Sequence, residues 1–99
     1  MRWRGGRRYS KFSAMNARKT WERIATHQYR NLTFADFVRV VEAFGFVLRR
    51  TSASHRIYSH PAVPRPLSLQ QVKGEAKPYQ VRQFAAVVEE FGLEMEKPG

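Results

Sequence analysis

The chain has 99 residues, enough for one domain with a core so small that each large apolar side chain counts. It contains no cysteine, which excludes disulfides, thiolate chemistry and cysteine-built zinc sites, and no apolar run approaches the roughly 18 residues of a membrane span, so it reads as a soluble, cytoplasmic protein. A formal net charge of +10, from 18 Lys and Arg against 8 Asp and Glu, exceeds what solubility demands and points to a polyanionic partner.

That charge is concentrated at the start of the chain. Residues 1–31 hold Arg2, Arg4, Arg7, Arg8, Lys11, Arg18, Lys19, Arg23 and Arg30 against Glu22 alone, a balance of +8. Residues 1–14 read as a basic tail in which Trp3, Tyr9 and Phe12 interleave with arginines, a composition suited to binding phosphates and stacking on bases. A disordered, dispensable extension upstream of Met15 is an equal reading. Over residues 15–31, "NARKTWERIATHQY" places Ala17, Trp21, Ile24 and Gln28 on one face, which predicts a short accessory amphipathic helix capped by Asn16 or Ser13 and anchored by Trp21 and Ile24.

Residues 32–94 carry the stronger patterns. In "LTFADFVRVVEAFG", Thr33 and Asp36 form a weak capping box; Phe34, Phe37, Val38, Val41 and Phe44 keep helical spacing and Gly45 stops the helix. In "KPYQVRQFAAVVEEFG", Pro78 suits a first helical position, and Val81, Phe84, Ala85, Val88 and Phe91 make the stripe before Gly92. Between the two helices, "FVLRRT", "RIYSH" and "PLSLQQV" read as strands, joined by the short link "SAS" and the stiff link "PAVPRP". Neither link is long enough for a helical crossover, so the strands form an antiparallel meander. The helices then cover a face made by Leu48, Ile57, Leu67 and Leu69. The expected fold is α+β, a three-stranded antiparallel sheet with two helices on one face in the order α-β-β-β-α, followed by a flexible C-terminus over 95–99.

The stretch "FADFVRVVEAFGFVLRRTSASHRIYSHP", then "PLSL", then "KPYQVRQFAAVVEEFGL", resembles the HicA-type toxins of bacterial toxin-antitoxin systems over about residues 32–93. The family pattern runs from a helix ending in glycine into an aromatic or apolar strand, then through Gly-Ser-His opening the second strand, to a closing helix. Gly45-Phe46 matches the first part, and Ala53-Ser54-His55 stands where Gly-Ser-His belongs. The resemblance implies a double-stranded-RNA-binding-domain-like fold, mRNA-cleaving activity without a cofactor or metal, His55 as the catalytic residue, and a HicB-type antitoxin as partner. Two positions depart from the pattern: Ala53 replaces the glycine, and Leu69-Gln70-Gln71 stands where many members have a Pro-Arg-His-like stretch.

The chemistry supports the same residue by a separate route. Metal-free RNA cleavage needs a base for the ribose 2′-hydroxyl, a task suited to imidazole, and fixed cations to stabilise charge growing on the phosphate. Arg49, Arg50 and Arg56 flank His55 on the strands, Lys73 and Lys77 precede the last helix, and Ser54 is placed to orient His55 or touch phosphate; these are the expected RNA-binding residues. Arg49 and Arg56 are expected to reach solvent. Tyr58 and Tyr79 are candidates for protonating the leaving oxygen. Strand alternation puts His55 with the inward Ile57, which leaves open an ordinary strand-end histidine, and His60 on the opposite, outer side; the two histidines therefore face apart and do not suit one metal site. A non-catalytic RNA- or DNA-binding module using the basic arm and the sheet edge is the alternative function, and a domain that attracts an acidic protein is a third.

Overall fold

A computed structural model describes residues 17–96. The expectations for residues 1–14, for the Asn16 or Ser13 cap and for residues 97–99 lie outside this span. Residues 17–25 form α1, followed by α2 (Phe34–Ala43), β1 (Val47–Ser52), β2 (His55–His60), β3 (Val63–Val72), β4 (Glu75–Ala76) and α3 (Pro78–Glu90). No helix of the described residues is long and apolar enough to cross a membrane.

Thr33 starts α2 by accepting a hydrogen bond from the Asp36 amide at 3.1 Å, satisfying one of the free donors of the first turn. The Asp36 carboxylate does not complete a capping box; it pairs with Arg39 at 2.7 Å. Gly45 ends the helix at φ +95°, a conformation that other residues resist, and a Cβ there would stand 2.8 Å from Glu96 Oε2 and 3.2 Å from His60 Nε2. Pro78 occupies the start of α3, whose Val81, Phe84, Val87 and Val88 are buried.

The four strands are antiparallel in the order β1-β2-β3-β4, so the expected three-stranded sheet is corrected to four. The fourth strand has only two residues, too few for any alternation to show in sequence. It follows a tight turn at Lys73-Gly74, both with positive φ, and Thr33 bridges Glu75, which joins the start of α2 to the sheet. The link expected over "PAVPRP" shrinks to Pro61-Ala62, and β3 begins at Val63. Pro64 and Pro66 fit inside that strand because the pairs His60–Val63 and Tyr58–Leu67 enclose a bulge of extra β3 residues, where a missing amide donor costs little.

A second bulge reverses the expected parity of β2. Leu48 lies opposite Tyr58 but Arg50 lies opposite Ile57, so Arg49 is an extra residue on β1. A one-residue shift moves every later side chain to the other face. The covered face therefore carries Tyr58, Leu67, Leu69 and Ala76, all buried, with Phe46 beside them. Leu67 and Leu69 point inward as expected, whereas Ile57 turns to the open face and Leu48, on the edge strand, stays 43% exposed.

Phe84 of α3 is the centre of the core. Its ring meets Phe37, Phe44 and Phe46 edge-on at 5.6–5.7 Å, and Trp21 of α1 reaches Phe44 at 4.8 Å. Ala17 and Ile24 of α1 are buried in the same cluster, so the helix expected to be accessory contributes to the core, although Gln28 at the end of its stripe is exposed.

Candidate active site

The link between β1 and β2 contracts to Ala53 and Ser54, since Ser52 already pairs with His55. A two-residue connection forces a left-handed conformation, and Ala53 adopts it at φ +54°. His55 thereby opens β2 on the same side as Ile57, as alternation predicts; the bulge makes that side the open one, and His55 is exposed. It lies in a row across three strands, Ser52–His55–Gln70.

Gln70 ties this row together. Its side-chain amide donates to Ser54 Oγ at 2.9 Å, and its carbonyl accepts from Lys77 Nζ at 2.9 Å. Its backbone amide donates to Gln80 Oε1 at 3.1 Å, while Gln80 Nε2 donates to the Ser68 carbonyl at 3.2 Å. Gln80 is buried and supplies the partners that β3 lacks where β4 has not yet begun, a way of closing an otherwise open strand edge. The first turn of α3 is thus fastened to the strand that faces His55, and Lys77, just ahead of it, is brought into the row.

The expected cations divide between two faces. Arg50 is on the face of His55 and is its diagonal neighbour, a spacing of about 7–8 Å between adjacent strands. Arg49, the bulged residue, donates through Nε to Ser59 Oγ at 2.7 Å and is exposed. Lys73 sits exposed in the turn three residues beyond Gln70. Arg56 is on the opposite face, half-buried, with its guanidinium carbon 5.3 Å above the Phe34 ring, so the expectation that it projects freely into solvent is corrected by the same parity shift.

His60 also goes to the covered side. It packs on Phe46 at 5.0 Å, and its Nδ1 accepts from the Ala62 amide at 2.9 Å, which makes it a half-buried turn residue instead of the surface residue expected. Tyr58 is completely buried with an unpartnered hydroxyl and is closed off from a ligand on the open face. Tyr79 is 59% exposed, with Lys77 Nζ 5.8 Å from its ring. The residue that sequence reasoning missed is Gln70. Its role depends on a register and on a helix contact, and only its place in "LQQ" after the third strand was visible.

An exposed imidazole and cations on the open face of a helix-backed antiparallel sheet define a small α+β domain with a polar face suited to anionic ligands. The family model described as HicA toxin of bacterial toxin-antitoxin matches residues 34–93, and the chain belongs to that family. Searches of curated proteins and of solved structures returned no match. Membership makes the chain the toxin of a toxin-antitoxin system, broadly a ribonuclease, with RNA as substrate class and a cognate antitoxin as partner.

Proposed function

We propose that the chain is a metal-independent, toxin-type endoribonuclease of mRNA in which His55 is the general base. The observation that carries this is the exposure of His55 on the open sheet face beside the Ser54–Gln70–Lys77 chain of hydrogen bonds. His55 takes the proton of a ribose 2′-hydroxyl. The 2′-oxygen attacks the adjacent phosphorus, its bond to the 5′-oxygen breaks, and that oxygen takes a proton from solvent, leaving a cyclic phosphate and a free 5′-hydroxyl. Arg50 and Lys77 stabilise the charge that builds on the phosphate oxygens, with Arg49 and Lys73 positioned to hold neighbouring phosphates. Arg56 contributes to the field from the other face instead of by direct contact. DNA lacks the attacking hydroxyl and is not cut.

The double-stranded-RNA-binding-domain-like architecture is the fold-level analogy that accompanies this reading. The partner is a HicB-type antitoxin that covers the open face. An acidic protein would associate quickly with so basic a surface.

The test uses full-length protein and His55→Ala on single-stranded RNA and on DNA of the same sequence. The expected outcome is cleavage of RNA alone, reduced at least about a hundredfold in the variant, the usual contribution of a general base. Equal RNA loss with both proteins removes His55 from the mechanism. RNA that is shifted on a gel but recovered intact would favour the non-catalytic binder, to which the +8 balance of residues 1–31 gives its support.

A further inference from the structure

A second basic concavity lies outside the residues assigned so far. The loop from α1 to α2 and the first turns of α3 enclose a cleft of about 580 Å³ lined by Arg23, His27, Tyr29, Arg30, Tyr79 and Arg82 among others, with three arginines and no carboxylate in its wall. Most of that wall comes from residues 23–31, ahead of the span that the family model matches, so it is built by a segment particular to this chain's arrangement.

The loop is held in shape from within. Arg23 donates to the carbonyl of Arg30 at 3.0 Å, which commits its guanidinium to the loop. His27 and Asn31 both take left-handed conformations, at φ +67° and +59°, that side chains other than glycine seldom adopt. Arg30 and Arg82 are exposed, and among the described residues neither forms an ion pair. Two free guanidinium groups beside two tyrosine rings match the chemistry of an unpaired nucleotide, whose phosphate takes the charge and whose base stacks on the ring.

Continuity with the His55 row decides which polyanion it is. Lys77 Nζ is 2.9 Å from Gln70 Oε1 and 5.8 Å from the ring of Tyr79, so one side chain joins the row to the cleft wall. We propose that this cleft is a subsite for single-stranded RNA that takes unpaired nucleotides flanking the scissile phosphate. The proposal rests on the ribonuclease reading for the word scissile. The binding itself does not.

Binding is therefore measured on full-length His55→Ala protein, which keeps the RNA whole, by fluorescence anisotropy with a labelled single-stranded RNA over a series of salt concentrations. Adding Arg30→Ala and Arg82→Ala should weaken affinity about tenfold and flatten the slope of log affinity against log salt by about 1. A charge-matched control, Arg39→Ala with Arg65→Ala, removes two cations that are each paired with a carboxylate elsewhere and should change the affinity less than threefold. Unchanged affinity in the cleft variant, or an equal loss in the control, overturns the subsite. Cleavage by protein with His55 intact is scored separately. If RNA is never cut yet the cleft arginines carry binding, the ribonuclease reading fails and the subsite stands as a binding site.

Discussion

Ala53 shows how a single residue tells on the candidate site. At φ +54° it occupies a conformation that costs an L side chain roughly 1 kcal/mol, and the cost is borne in the turn that presents His55. Glycine would release the strain but would also regain freedom in the unfolded chain, a loss of about 0.4–1 kcal/mol, so the two effects nearly cancel. Ala53→Gly should consequently leave the melting temperature within a few degrees and preserve or raise RNA cleavage. A large loss of cleavage with an unchanged melting temperature would mean that the methyl group holds the turn in its working shape. Gln70 makes the complementary point. It replaces the Pro-Arg-His-like element of many relatives with a neutral amide that bridges Ser54 and Lys77, so a cation from α3's approach stands where a cation from the strand was expected.

At the scale of elements, the helices were legible because 3-4 spacing survives any later rearrangement: Phe34, Phe37, Val38, Val41 and Phe44 are all buried where the pattern put them. The strands were legible as strands, and the sides of β2 were not. Alternation assigns faces only relative to a neighbour, and the extra Arg49 lies in a run, "LRRT", that reads equally well with or without a bulge. That ambiguity explains why Ile57 was expected inside and Tyr58 outside, and why His55 came to lie open to solvent although its parity with Ile57 was read correctly. β4 and the proline-bearing start of β3 were hidden for different reasons, one by its length and the other by two residues that ordinarily argue against a strand. The thin stripe of α1 understated its place, because its contribution lies in aromatic contacts across the molecule instead of in its own periodicity. Trp21 touches the Phe44 and Phe84 rings from only half-buried cover, so Trp21→Ala should destabilise by about 3 kcal/mol, the low end for losing a buried aromatic. Urea denaturation followed by circular dichroism reads this. A change below about 0.5 kcal/mol, the scale of an ordinary surface substitution, would return α1 to the accessory status its sequence suggested.

Across the whole molecule, charge and chemistry are separated. Arg2, Arg4, Arg7, Arg8 and Lys11 supply five of the 18 basic side chains before the described span begins, whereas the His55 row, Gln70 and Lys77 all belong to the family-matched domain. Affinity for a polyanion grows with the number of phosphates neutralised, and each contact to a single strand adds about 0.7 to the salt slope irrespective of base sequence. Removing residues 2–14 should therefore lower RNA affinity and flatten the slope, by at most about 3.5 if all five cations touch phosphate. The loss should be the same for two RNAs of unrelated sequence, and cleavage at saturating RNA should persist, since the proposed base and its cations remain. Binding of both RNAs across a salt series and cleavage at high RNA concentration check the two halves independently. A loss confined to one RNA would assign base recognition to Trp3, Tyr9 and Phe12 instead of bulk attraction to the arginines. Abolished cleavage at saturation would place part of the catalytic machinery in the arm itself.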